Sequence, residues 1–376
     1  MVSSLASVPG KDSSRSRTAQ ILLFTNARIE AISAAGTFLS KEGNLQTSAV
    51  GDFKPGELGC RPRGGSGVTK ERIGVVYLTD GRRDDLTYAS AVALGLNHSR
   101  GIDIHIVQAG FSADPPPTVL ELLQAKGHRL ATHTLLTVDR GLPGRGHITP
   151  TAYAKSEAIA LVSNEHDVVC YLDNDTLAVQ PLDLEVAAPK AQPLAAAPDL
   201  SISTGSDNPT FFANCDKHGL QRRYFNSGLL IINASRWRAS GIPERYEAAV
   251  RAHAEFCPYW DGSCTDLDQC AFNIAAGGSW ETLPVEFNVQ KSAFQTPYWD
   301  RALIRHYTGS KKFLPARAHR ADGKERSVLR RIAHECQDLG LEIPAGYLGL
   351  AYWANRLRRK AERARISRLI GQFLVV

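Results

Sequence analysis

The chain has 376 residues, room for one large α/β domain with extensions or for two domains. Its 43% hydrophobic and 22% charged residues exclude a disordered chain. The net charge of +6 sits in Tyr347–Val376, where seven basic residues meet one acid, Glu362; the rest of the chain sums to zero. That distribution points to a local anionic partner of the C-terminal segment and excludes a broadly basic core surface.

Residues 1–70 start Ser-rich and end in Arg61-Pro62-Arg63-Gly64-Gly65-Ser66-Gly67, a composition that predicts a flexible extension. The apolar run Ile21–Phe24 spans only four residues, so neither a spanning helix nor a secretory leader is expected. Seven cysteines scatter without a Cys-x-x-Cys pair, and Cys257, Cys264, Cys270 and His253 match no zinc spacing. A reducing, cytoplasmic setting is expected, with peripheral attachment to the inner face of a membrane as an option.

Order begins at Ile73–Leu78, a short β-branched run that predicts a strand buried on both faces. Helical potential over 86–97, a strand at Ile102–Val107 and a helix at Thr118–Lys126 stopped by Gly127 follow. Strands alternating with helices imply βα units and a mostly parallel sheet. Thr149 and Pro150 mark the start of a helix running to about Ser163. Val168–Leu172 is the next buried strand, and Leu194–Ala197 and Gly228–Asn233 are two more. Ser235 is expected to cap a helix, and Asp266 to start one ending at Gly277-Gly278. Ala302–Tyr307 reads as the last clear core strand. The expected division is an extension at 1–70, a catalytic domain at 71–315 and a basic amphipathic tail at 316–376.

Four segments carry chemistry. In Tyr171-Leu172-Asp173-Asn174-Asp175 a buried strand stops and delivers carboxylates at i and i+2. In extended backbone both leave the same face and can reach one hard cation; the bland alternative is a polar turn. Asn226-Ser227-Gly228 precedes a very apolar strand, so Asn226 can bond a polyhydroxyl ligand and Gly228 permits close approach; a plain turn is the alternative. Asp268-Gln269 sits early in a helix, where the dipole favours an acid whatever its function. In His306-Tyr307-Thr308-Gly309-Ser310-Lys311-Lys312, His306 can ligate a metal, the Gly309 amide can approach a phosphate and Lys312 can supply charge.

In this order the segments resemble glycosyltransferase family 8, whose bacterial members include lipopolysaccharide galactosyl- and glucosyltransferases. The resemblance spans about residues 73–315. It starts with Val75-Val76-Tyr77-Leu78-Thr79-Asp80, passes through Tyr153-Ala154-Lys155 and the Asp173-Asn174-Asp175 motif, and includes Phe225-Asn226-Ser227-Gly228. Asp268-Gln269 with Asn273, Leu283-Pro284 with Phe287-Asn288-Val289-Gln290, and His306-Tyr307-Thr308-Gly309 with Lys312 complete it. Lys155 stands where relatives more often carry Arg, and Phe313-Leu314 replaces a Pro-Trp pair.

The resemblance implies a GT-A fold, a Rossmann-like α/β sheet flanked by helices. It implies a retaining, metal-dependent hexosyltransferase using a UDP-sugar, galactose or glucose being the expected hexose, with a glycan or lipid-linked saccharide as acceptor. Asp173, Asp175 and His306 would hold Mn²⁺, or alternatively Mg²⁺. Thr79, Asp80, Lys155, Asn174, Asn226, Gly228, Gly309 and Lys312 would bind the donor, and Gln269 and Asp268 would stand at the reacting carbon. The basic tail, with Trp353, Leu357, Ile366, Leu369, Ile370 and Phe373 near helical spacing, would meet an anionic membrane surface, the alternative being a terminal helix docked on the core by its apolar stripe; no nucleic acid is expected. A nucleotidyltransferase of sugar phosphates and a non-catalytic basic-tailed adaptor remain as the other classes. The former would want a phosphate loop after the first strand, of which Asp80-Gly81-Arg82-Arg83 is a faint version.

Overall fold

The computed structural model describes residues 72–136, 149–203, 224–256, 267–314, 320–346, 350, 354 and 357–375. The expected extension at 1–70 lies outside the described residues.

Strands β1 (Gly74–Thr79), β2 (Asp103–Ala109), β3 (Arg129–Leu135), β4 (Val168–Leu172), β6 (Leu194–Pro198), β7 (Phe225–Asn233) and β8 (Trp280–Thr282) form one sheet, in the order β3-β2-β1-β4-β7-β6-β8. β7 runs antiparallel to β4 and β6, and the other pairings are parallel. Strands β5 (Thr176–Ala178), β10 (Ile304–His306) and β9 (Val289–Gln290) form a small second sheet with β10 in the middle. Ala302–Tyr307, expected as a core strand, thus belongs to this smaller sheet and not to the main one.

Alternation sorts the main sheet's side chains onto two faces. Val75, Tyr77, Ile104 and Ile106 join one core, covered by α1 (Asp84–Asn97) and α2 (Pro117–Ala125). Val76, Leu78, Val107 and Tyr171 join the other. That second face is covered by α3 (Lys155–Val162), α5 (Ala234–Ala239), α6 (Ile242–Phe256) and α7 (Leu267–Ala276). A further short helix, α4 (Leu200–Ser203), follows β6.

Three local expectations are corrected. Pro150–Ala154 forms a 3₁₀ turn before α3, and the Thr149 side chain makes no cap bond. The cap of α5 is Asn233, whose side chain accepts from the Arg236 amide; Ser235 merely donates to it at 2.8 Å. Asn226-Ser227-Gly228 lies inside β7 instead of ahead of it.

Beyond Lys312, the described chain packs against α1 and α2. After α8 (Pro297–Arg301), helix α9 (Gly323–Glu335) places Leu329 and Ile332 in the first core. The terminal helix α10 (Lys360–Val375) places Ile370 there, with Ile366 and Leu374 packed alongside. No described helix is long and apolar enough to cross a membrane.

Candidate active site

The two acids are delivered by a turn. The Thr176 amide donates to the Asp173 carbonyl at 3.2 Å and the Thr176 hydroxyl to the same oxygen at 2.8 Å. The i, i+2 argument from extended backbone is therefore replaced: the turn folds both carboxylates toward one point, so the polar turn and the metal motif are one feature. Strand register brings in the rest. Thr176 pairs with His306 across β5 and β10, and His306 pairs with Gln290 across β10 and β9. Leu172 pairs with Leu229, which sets Gly228 beside Asp173; the Asp173 amide donates to the Gly228 carbonyl at 2.9 Å.

One ligand atom each from Asp173, Asp175 and His306 lies within 4.8 Å of the others. His306 Nε2 is 3.1 Å from Asp175 Oδ1 and 3.7 Å from Asp173 Oδ2. A Cβ on residue 228 would stand 2.1 Å from the His306 ring and 2.8 Å from Asp173 Oδ2, so only glycine leaves this space open.

The histidine tautomer follows from a chain of amides. The Gly228 N–H points at Asn226 Oδ1 at 3.1 Å, which fixes that atom as the oxygen. Asn288 Nδ2 donates to the same oxygen at 3.0 Å, so Asn288 presents its own Oδ1 to His306 Nδ1 at 3.1 Å. A carbonyl oxygen only accepts, hence the proton is on Nδ1 and the neutral ring aims the Nε2 lone pair at the two acids. This is the arrangement of a metal-ligating histidine held by an outer partner.

Two ammonium groups flank the acids. Lys312 pairs with Asp175 and donates to the Tyr307 carbonyl at 3.2 Å. Lys155 is buried and bridges Asp173 at 3.1 Å and Asp268 at 2.8 Å, with Ser227 Oγ at 3.3 Å. Burial works against its charge, but Asp173 and Asp268 outweigh it and hold the ammonium above its ordinary range. Burial likewise opposes ionisation of Asp175, and the Lys312 ammonium outweighs it, so this carboxyl falls well below the usual range. Asp268 goes the other way: burial raises it more than Lys155 lowers it.

Beside the acids lies a polar cluster. Gln269 Oε1 accepts from the Ser227 amide and from Asn226 Nδ2, both at 3.0 Å, and Gln269 Nε2 donates to Asp199 Oδ2 at 2.8 Å. Asn226 also donates to Asp199 Oδ2, at 3.1 Å. Asn273 pins α7 to β7 by bonding both the amide and the carbonyl of Phe225.

Asp173, Asp175, His306, Lys312, Lys155, Asp268, Gln269, Asn226 and Gly228 therefore come together. Asn174 is half-buried in the same turn. Thr79 is buried at the end of β1, its hydroxyl donating to Asp84 at 2.7 Å, and half-buried Asp80 follows. Gly309 is exposed in left-handed backbone at φ 82°, three residues before Lys312. Two residues went unassigned in the sequence. Asp199 ends β6 as a buried acid, the same signal as Asp173, hidden in an Ala/Pro-rich stretch. Asn288 is fully buried, and no spacing revealed that it faces His306.

Within this cluster the carboxylates of Asp173, Asp175, Asp199 and Asp268 outnumber the ammonium groups of Lys155 and Lys312 by two. Asp175 Oδ1 is buried without a hydrogen-bond partner among the described residues. An orphaned carboxylate oxygen, an aimed imidazole lone pair and a surplus of two negative charges fit a divalent cation.

An open α/β sheet with paired acids at the carboxyl end of a central strand places a ligand site at that end. The profile of glycosyl transferase family 8 matches residues 76–313, and the chain belongs to that family. Among solved structures, the galactosyltransferase LgtC in complex with donor and acceptor sugar analogues is 22% identical. That match covers 72% of this chain and 97% of LgtC with a TM-score of 0.52. The bifunctional glycosyltransferase WbbM, in its apo form, is 15% identical with a TM-score of 0.52. It matches over 67% of this chain and 48% of its own. At these identities the likeness shows the GT-A fold. No curated protein matches the sequence.

Proposed function

We propose that this glycosyltransferase moves a hexose, galactose or glucose, from a UDP-sugar to a glycan or lipid-linked saccharide, with retention of anomeric configuration. The observation that carries the reading is the convergence of Asp173, Asp175 and the Nε2 lone pair of His306 beside Gly228, next to the Asp199–Asn226–Gln269 cluster.

Asp173, Asp175 and His306 would hold Mn²⁺, which one imidazole among carboxylates favours over Mg²⁺. When bound, the cation neutralises charge that develops on the diphosphate leaving group. Lys312 and the Gly309 amide lie on the same loop and share that charge. Lys155 is already held by two acids, so its part is to orient Asp173 and Asp268. Thr79 and Asp80 face the base and ribose, and Asn174 accompanies its flanking acids at the donor. Asn226, Asp199 and Asp268 bind sugar hydroxyls. Gln269 stands nearest the anomeric carbon. A neutral amide whose oxygen already accepts two hydrogen bonds is a poor nucleophile. We therefore infer front-face transfer through a short-lived oxocarbenium-like ion, with a leaving-phosphate oxygen taking the acceptor's proton.

The nucleotidyltransferase alternative loses support at Asp80-Gly81-Arg82-Arg83. Arg82 lies 3.7 Å from Asp80, and Arg83 donates to Asp85 at 2.9 Å and to the Leu314 carbonyl at 2.9 Å. Arg83 is thus engaged within the protein, while the Arg82 side chain stays largely exposed. A screen of UDP-galactose, UDP-glucose and UDP-N-acetyl sugars with Mn²⁺ tests the reading. Release of UDP and an early product with the donor's anomeric configuration by proton NMR support it. An inverted product, or pyrophosphate exchange in place of UDP release, contradicts it.

A further inference from the structure

A second cluster of metal-ligating side chains lies away from the acids. β1, β2 and β4 are parallel, and the Asp173 turn leaves the carboxyl end of β4. His166 stands before the amino end of β4, and His105 lies in the first half of β2. The two centres therefore occupy opposite ends of the sheet.

We propose that His105, His166 and Glu165 form a transition-metal site, suited to Zn²⁺, that ties the entry of β4 to β2. One ligand atom from each lies within 4.8 Å of the others. His105 Nε2 and His166 Nε2 face each other at 3.0 Å. Two imidazole nitrogens on one tetrahedral zinc sit about 3.3 Å apart, so a shift of a few tenths of an ångström admits the ion.

The outer partners are in place. His166 Nδ1 meets the Arg72 carbonyl at 3.0 Å, so that nitrogen carries the proton and Nε2 the lone pair. His105 Nδ1 meets His133 Nε2 at 2.8 Å. Without metal, one set of protons satisfies the chain: His133 Nε2–H donates to His105, and His105 Nε2–H donates to His166. With metal, the His105 proton moves to Nδ1 and is donated to His133, whose proton moves to its own Nδ1. Both facing Nε2 atoms then present lone pairs, each ring steadied by an outer partner.

The backbone makes room for this. A Cβ on residue 74 would stand 2.5 Å from the His166 ring, so Gly74 is the space in which that ring lies. Glu165 is exposed, which gives the ion a route from solvent and one balancing charge. Asp103, the nearest other acid on β2, is engaged by Arg72 at 3.2 Å and Arg129 at 3.4 Å.

The test uses the full chain with Asp173→Asn and Asp175→Asn, which disables the other centre. After chelator treatment, Zn²⁺ is titrated by calorimetry and Co²⁺ by its visible absorption. A single Zn²⁺ per chain and an intense, low-symmetry Co²⁺ band are expected. His133→Leu should weaken binding about 10–100-fold, as loss of an outer partner does. His166→Gln should abolish binding, with circular dichroism reporting whether its fold survives. The exposed Glu165→Gln change decides if that variant unfolds, and weaker Zn²⁺ binding is expected. No binding in the double-Asn chain, or binding unchanged by Glu165→Gln, overturns the proposal and leaves a neutral hydrogen-bonded histidine chain.

Discussion

His306 shows how a single side chain acquires its role from residues that never touch the reacting atoms. Its proton is placed by Asn288, whose orientation is set by Asn226, whose orientation is set by a backbone amide. Asn288→Leu removes the acceptor and frees the ring to flip. Mn²⁺ affinity should fall about 10–100-fold while the melting transition stays cooperative. Calorimetric titration checks this; unchanged affinity would mean that the ring is held by packing alone. At this scale the sequence was informative where a residue's surroundings are local. Asp173 and Asp175 announce themselves because a buried strand ends in them. Asn288 and Asp199 act through partners distant in the chain, Asn226 being 62 and 27 residues away respectively, and no local pattern records such a meeting.

Elements with one uniform environment were legible, and mixed ones were not. β1 and β4 are apolar runs and β2 an alternating one; all three are buried in the sheet and were expected close to their observed bounds. β3 escaped because Arg129-Leu130-Ala131-Thr132-His133-Thr134-Leu135 is an edge strand, with no residue fully buried. β5 is three residues long and makes sense only beside β10. Helix α9 is anchored in a way its charged sequence concealed. Buried Arg305 pairs with Asp322 at 2.8 Å, and Asp322 also caps α9 by accepting from the Glu325 amide at 3.1 Å. Burial opposes the Asp322 charge, yet the bond from Arg305 outweighs it and lowers the carboxyl below its usual value. A depressed carboxyl stabilises the fold above its unfolded-state value, about 3.9, and loses that contribution as pH falls through the lower folded-state value. Asp322→Asn keeps a capping oxygen but leaves Arg305 with Glu325, at 3.8 Å, as its remaining acid among the described residues. It should cost about 3 kcal/mol in chemical denaturation near neutral pH. The difference from wild type should shrink at acid pH; a constant difference would assign the loss to packing.

Across the whole molecule, the +6 carried by Tyr347–Val376 is presented in part by α10. In α10, Ile366, Ile370 and Leu374 pack on the core, while Lys360, Arg365 and Arg368 are exposed, as is Leu357 ahead of the helix. The membrane contact expected of this segment would then draw on its exposed cations, each adding about 1 kcal/mol at an anionic surface. Deleting residues 347–376 would also strip Ile370 from the core, so substitution separates the effects better. Lys360→Gln with Arg365→Gln and Arg368→Gln should release the protein from anionic vesicles and leave donor hydrolysis unchanged. Raised salt should do the same to wild type, since exposed charges are screened within about 10 Å at 0.1 M. Wild-type protein that stays in the supernatant of a low-salt vesicle sedimentation would remove the membrane from this account.

Sugar transfer should depend on the cation that Asp173, Asp175 and His306 would hold. Donor turnover is to be measured against Mn²⁺ concentration in wild type and in Asp173→Asn and Asp175→Asn. Saturable activation by Mn²⁺ is expected in wild type, and loss of turnover in each variant at every metal concentration, with the folded state retained by circular dichroism. Full turnover in both variants, or wild-type turnover indifferent to chelation, would remove the metal from the reaction.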